Sequence, residues 1–190
     1  MSIKLEKGHK IDLNKGANAE LNQLYVGLGW DPIKEKGFFG SKTIDVDLDA
    51  SLLMFNEKHM CDSVSFRQLK SLCGSVVHSG DNRTGDGDGD DEVINIKLKD
   101  VPSHVTSMIV VINSFTGVKF DKIAEASCRL CNAGNNEELA IFPITGGGDF
   151  TAMIMVKIYR HAGSWKVSAI GEKCNGRTFD ALLPTINAFL

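Results

Sequence analysis

Residues 78 to 92 read His-Ser-Gly-Asp-Asn-Arg-Thr-Gly-Asp-Gly-Asp-Gly-Asp-Asp-Glu. From Asp81 onward this segment holds six acids, Asp81, Asp86, Asp88, Asp90, Asp91 and Glu92, against one base, Arg83. Aspartate offers short, hard oxygen donors, and Asn82 adds an amide oxygen. Gly85, Gly87 and Gly89 alternate with the acids and let the backbone turn its carbonyls inward. Carboxylate, amide and carbonyl oxygens are the ligands calcium takes, about six to eight at a time. A second acidic run, Asp45-Val46-Asp47-Leu48-Asp49, spaces its carboxylates two apart, which on a strand puts them on one face. Like charges stacked there repel, and a cation shared with the first segment relieves them. Asp31, after Gly27-Leu28-Gly29-Trp30, is a further contributor. The candidate metal ligands are therefore Asp31, Asp47, Asp49, Asp81, Asn82, Asp86, Asp88, Asp90, Asp91 and Glu92.

The EF-hand template does not fit this segment. Counted from Asp86, its glycine position holds Asp91 and its closing glutamate position holds Lys97. Counted from Asp81, Glu92 closes the loop correctly, but Arg83 occupies a ligand position. The Gly-Asp alternation also matches calcium-binding nonapeptide repeats, which need stacked copies, and here it occurs once. A loop of six acids repels itself when empty, so the ion is expected to order it. Two ions would supply +4 against the segment's −5. The plain alternative is a solvated, flexible acidic loop.

The elements that position these acids are strands. Val76-Val77 precedes the acidic segment and an alternating run from Val93 follows it, so the segment is a loop joining strands. Period-two alternation recurs at Leu24 to Trp30, Ile44 to Leu48, Ile94 to Leu98, Ala152 to Ile158 and Trp165 to Ala169. Met108 to Ile112 and Leu139 to Ile144 read as more fully buried strands. Sustained helical periodicity is scarce: the best candidate is Thr178 to Leu190, where Pro184 should break or kink it, and Phe120 to Ala126 reads either as a short helix or as an alternating strand. The expected architecture is mainly β: a two-layer antiparallel β-sandwich with a few short helices, one at the C-terminus, in a single domain over residues 1–190.

Composition narrows the function classes. The chain has 190 residues, 43% of them apolar and 24% charged, enough to bury a core without disulfides. Its net charge of −3 is more than accounted for by the acidic segment, which would repel phosphates, so nucleic acid is not an expected partner. No apolar run approaches the roughly 18 residues that span a bilayer. The first residues, Met-Ser-Ile-Lys-Leu-Glu-Lys, carry charges where a signal peptide needs an apolar stretch, and the five cysteines are an odd number. Reduced thiols and a cytoplasmic location follow as expectations.

Three blocks together resemble the TerD family of tellurium-resistance and stress-response proteins. They are Gly27-Leu28-Gly29-Trp30-Asp31, Asp47-Leu48-Asp49-Ala50-Ser51, and Gly80-Asp81-Asn82-Arg83-Thr84-Gly85 continuing to Gly89-Asp90-Asp91-Glu92. Cys73 to Ser79, Asn113-Ser114-Phe115 and Gly171 to Cys174 look most like its TerZ branch. The resemblance runs over nearly the whole chain. It implies a calcium-binding β-sandwich, typically with two ions on the acidic loops. It also implies a bacterial cytoplasmic setting, with other Ter-type stress proteins as partners at the inner face of the membrane. Slime-mould relatives described as cyclic-AMP-binding proteins imply an alternative, a small-ligand receptor. Arg67 and the insert Pro32 to Ser41 depart from the family pattern.

Other signals carry no chemistry. Cys128 and Cys131 lie three apart, which on a strand turns them to opposite faces and argues against a shared zinc. Asn82-Arg83-Thr84 fits a glycosylation sequon that a cytoplasmic protein would not use. Gly146-Gly147-Gly148 lacks the lysine of a phosphate-binding loop. His78 and His161 have no nucleophile pattern beside them, and hydrolase motifs are absent. The expectation is a protein that is not an enzyme: a metal-ordered binding or adaptor module, with the small-ligand receptor and a plain structural module as competing readings.

Overall fold

A computed structural model describes residues 3–4, 8–12, 22–37, 40–123, 125–144 and 148–190. Among them the strands are β1 (Ile3–Lys4), β2 (Lys10–Asp12), β3 (Gln23–Gly29), β4 (Ile33–Gly37), β5 (Gly40–Ile44), β6 (Leu48–Asn56), β7 (His59–Val64), β8 (Val76–His78), β9 (Glu92–Lys97), β10 (Ser107–Ser114), β11 (Ser127–Asn132), β12 (Glu137–Pro143), β13 (Ala152–His161) and β14 (Ser164–Cys174). A first sheet has the order β1-β12-β11-β3-β9-β8, a second the order β2-β14-β13-β10-β6-β7, and β4-β5 is a separate hairpin. Pairing is antiparallel throughout except between β1 and β12.

Alternation sorts the side chains into layers. Leu24, Val26 and Leu28 of β3, with Ile94 and Ile96 of β9, face Leu48, Ala50, Leu52 and Met54 of β6 and Met108, Val110 and Ile112 of β10 in one core between the sheets. The odd-numbered residues of β6 and β10 point the other way. Leu53, Phe55, Ile109 and Val111 form a second cluster on the outer face of the second sheet, covered by Phe179, Leu182 and Ile186 of the C-terminal segment. The expected sandwich is therefore present, with this segment laid over one face as a partial third layer.

Several expectations change in detail. Asp45 to Asp49 is not one strand: β5 ends at Ile44, β6 begins at Leu48, and the linker between them is held by other partners. The Trp30 indole Nε1–H donates to Val46 O at 2.7 Å, and the Phe115 amide donates to Asp47 O at 2.9 Å. Asp45 is consequently exposed and apart from Asp47 and Asp49, which are buried. Pro184 does not break the C-terminal helix but lies in the first turn of α1 (Leu183–Ile186), where its missing N–H has no helical partner to lose. Short 3-10 turns flank α1 on both sides. At Phe120 the helix is a single 3-10 turn ending at Lys122. The insert after Trp30 is the β4–β5 hairpin, which alternation did not reveal. Most of the Gly146 to Gly148 loop lies outside the described residues.

Candidate metal centre

The acidic loop is hung between the two sheets by its ends. Its tight docking explains the glycines of β3. A Cβ on Gly27 would collide with the Asp90 carboxylate, and one on Gly29 with the Gly89 carbonyl. With both absent, the Asp91 amide donates to Leu28 O at 2.8 Å, and the Trp30 amide returns a bond to Asp91 Oδ2 at 2.9 Å. Asn82 Nδ2 donates to Asp91 Oδ1 at 2.9 Å, and Asn82 Oδ1 accepts the amides of Thr84 and Gly85 at 3.1 Å each. Asp90 is clamped by Arg129, whose Nε and Nη2 donate to its two oxygens at 2.7 and 2.8 Å.

Glu92 is fully buried and takes the place of a missing strand. β7 pairs with β6 only from Leu52 onward, so Ala50, paired with Ile112 of β10 on one side, has no strand partner on the other. The Ala50 amide donates to Glu92 Oε2 at 2.8 Å, and the Asn82 amide approaches Oε1 at 3.3 Å. His78 completes the arrangement. Its Nδ1 accepts from the Gly80 amide at 3.1 Å, which leaves the ring hydrogen on Nε2, facing Ala50 O at 3.2 Å and Glu92 Oε2 at 3.3 Å. His78, which has no nucleophile pattern beside it in the sequence, thus bridges the two sheets.

Asp90, Asp91 and Glu92 already accept protein hydrogen bonds, which sets them apart from the acids that have no donor. Among the described residues, Asp47, Asp49 and Asp81 form the one group whose ligand atoms converge, all within 4.8 Å of one another. Oxygens bound to one calcium ion lie at most about 5 Å apart, twice the usual Ca–O distance, so the spacing fits. Asp47 and Asp49 are only 8% and 4% exposed, and Asp47 Oδ1 and Asp49 Oδ2 have no hydrogen-bond donor. Buried carboxylate oxygens without partners are uncommon because desolvation of an unpaired charge is costly. Burial, then Glu92, Asp47 and Asp81, pushes the Asp49 carboxyl up to about 8. Asp47 is likewise raised, first by burial and then by Asp81, with Arg83 opposing. Two buried acids held against their own charge, beside an exposed third, suit a hard divalent cation.

The group opens into a cavity of about 210 Å³ lined by Asp47, Asp49, Phe66, Asp81, Arg83 and Phe115. Phe66 and Phe115 meet edge to face, with centroids 5.7 Å apart. Neither aromatic was singled out in the sequence; two phenylalanines far apart along the chain carry no local pattern. Asp31, Asp86 and Asp88 are exposed and outside the three-carboxylate group; Asp91 is raised first by burial and then by Asp31 and Asp90, with the Trp30 amide opposing. Cys128 and Cys131 face opposite ways as expected: Cys128 enters the core, where burial raises its thiol to about 12, while Cys131 pairs with the Tyr25 side chain.

Among the described residues no helix is long and apolar enough to cross a membrane. A family model described as TerD domain matches residues 1–184. The chain is 42% identical over 182 residues to the tellurium resistance protein TerZ of Serratia marcescens, covering 94% of this chain and 93% of that one. It is 39% identical to the stress response protein SCP2 of Bacillus subtilis, covering 96% and 98%. These relatives are named as resistance or stress proteins, not as enzymes. A solved Streptomyces coelicolor homologue of the telluride resistance protein TerD shares the fold, with a TM-score of 0.67 at 21% identity, over 82% of this chain and 92% of that one. The three sequence blocks, the sandwich and these matches agree: the chain belongs to the TerD family.

Proposed function

We propose that this protein binds calcium between Asp47, Asp49 and Asp81 and acts as a non-catalytic, metal-ordered binding or adaptor module in the bacterial stress response, tellurite resistance included. The observation that carries the reading is the pair of buried, unpartnered oxygens, Asp47 Oδ1 and Asp49 Oδ2, beside the Asp81 carboxylate. Asp90, Asp91 and Glu92 serve as pins that hold the loop's end, so Asp81 is presented to the site from a framed position. A second ion would draw on the acids left uncommitted, Asp31, Asp86 and Asp88. Other Ter-type proteins in the cytoplasm, at the inner face of the membrane, are the partners the family suggests.

Calorimetric titration with calcium and magnesium tests this. Calcium is expected to bind more tightly, because magnesium demands near-octahedral geometry and loses water reluctantly. A ligand that binds only the folded state stabilises it by about 2.7 kcal/mol at a hundredfold excess over its dissociation constant. For a chain of this length that raises the melting midpoint by roughly 5–11 °C. Asp47→Asn should remove the rise. No calcium heat and no melting shift would overturn the calcium reading and leave Asp47 and Asp49 as buried acids without an ion.

A second reading, a small-ligand receptor, is favoured by Phe66, Phe115 and Arg83 on the cavity wall. It requires nucleotide binding that persists in chelator and is lost in Arg83→Ala and Phe115→Ala.

A further inference from the structure

We propose that Asn113 supplies a fourth protein oxygen, its side-chain carbonyl Oδ1, to the cation held by Asp47, Asp49 and Asp81. The proposal rests on the cation reading of that site. It adds a neutral ligand that lies outside every acidic motif.

Asn113 stands directly opposite Asp49 in the β6–β10 ladder. Opposed residues of an antiparallel pair project to the same face, with Cβ atoms about 4.5–5.5 Å apart. That face is the outer one. The preceding rungs on it pair Val111 with Ser51 and Ile109 with Leu53, and Val111, Ile109 and Leu53 all belong to the outer cluster. One rung further, the Phe115 amide bonds to Asp47 O, and Phe115 lines the cavity. Asn113 therefore occupies the rung between the apolar cluster and the cavity, side by side with a carboxylate of the site.

Its amide orientation is set by a partner. Asn113 Nδ2 donates to Gly176 O at 3.0 Å, which fixes which end is nitrogen and which is oxygen. Oδ1 is then left buried with no donor, in a residue with no exposed surface at all. An amide carbonyl and an ionised carboxylate are both acceptors, so Asn113 Oδ1 and Asp49 Oδ2 cannot satisfy each other once the Asp49 carboxyl has given up its proton. A cation between them satisfies both. The choice of amide over acid also follows from charge: three carboxylates already exceed a divalent ion by one, and a fourth buried charge would go unmatched. Ser114 Oγ, also unpartnered, falls on the opposite face by alternation and is not part of the site.

The test uses the full chain. Calcium titrations of wild type, Asn113→Leu and Asp47→Asn are compared by calorimetry. Asn113→Leu is expected to lower calcium affinity by about tenfold or more, the size of losing one oxygen contact to a charge. That variant also loses the bond to Gly176, so a second measurement on wild type is needed. With asparagine side chains labelled with nitrogen-15, the Asn113 amide resonances should move on calcium addition with the same midpoint as the heat. If Asn113→Leu does not fold, this titration decides alone. An unmoved Asn113 amide at calcium saturation, or wild-type affinity in Asn113→Leu, overturns the fourth ligand. In that case loss of binding in Asp47→Asn still leaves the three-carboxylate site standing. A wild type that binds no calcium removes both.

Discussion

Two halves of one surface can be set side by side. β6 and β10 run antiparallel across the second sheet, and their outer face is buried from end to end. At one end it is Leu53, Phe55, Ile109 and Val111, capped by Phe179, Leu182 and Ile186. At the other it is Asp49 and Asn113, with Asp47 beyond. The backbone, the pairing and the depth are the same. The apolar half is complete as it stands, because each side chain gains from losing water. The polar half holds oxygens that have lost water and found no protein donor. Burial alone therefore does not mark a candidate site; buried oxygens without donors, beside carboxylates that converge, do.

The largest expected effect falls in the apolar half. Leu53→Ala or Ile109→Ala should destabilise the protein by about 2–5 kcal/mol, the usual range for truncating a buried aliphatic chain. Urea unfolding should give the same loss with calcium and with chelator. A loss that depends on calcium would show that the halves are coupled and blur the contrast. The next effect belongs to Asp49 and is read in calcium-free buffer. Its carboxyl is raised to about 8, by burial first and then by Glu92, Asp47 and Asp81. Between about pH 4 and pH 8 the folded chain then keeps a proton that the unfolded chain has released, so stability falls as pH rises through that window. The slope cannot exceed about 1.4 kcal/mol per pH unit for one proton. Asp49→Asn should flatten it, and an unchanged slope would move the origin elsewhere. The smallest effect is expected at the exposed part of the loop. Asp86→Asn and Asp88→Asn should each change stability by less than about 0.5 kcal/mol. Their use is in counting: calcium stoichiometry falling from two to one in these variants would place a second ion there, while an unchanged stoichiometry would leave them as solvated acids.

The legibility of the sequence followed the same division. Strands β3, β9, β10, β13 and β14 were readable because one or both of their faces are apolar and alternation reports that directly. The β4–β5 hairpin was not, since Ile33 to Ile44 is mostly charged and small and has little apolar face to report. The acid runs put Asp47, Asp49 and Asp81 among the candidates, but could not tell a carboxylate without donors from one that already accepts protein N–H groups. Asp90 looks like Asp81 until Arg129 is found 39 residues away along the chain. Asn113 was hidden for a related reason: its meaning lies across the ladder, opposite Asp49, and a single polar residue at the end of an apolar strand points to nothing by itself.

The stretch of β6 beyond the end of β7 has a consequence for how these molecules behave in a crowd. A row of free amides and carbonyls along a strand is a template on which another chain can add its own strand. At Ala50 both groups are already taken, the amide by Glu92 and the carbonyl by His78, and neither side chain is open to solvent. The pair works as a guard against unwanted company as much as a brace between the sheets. A chain carrying Glu92→Ala would unbolt the acidic loop and, in the same stroke, expose a docking edge. The expected sign of that is not only a lower melting point but oligomers that grow with protein concentration.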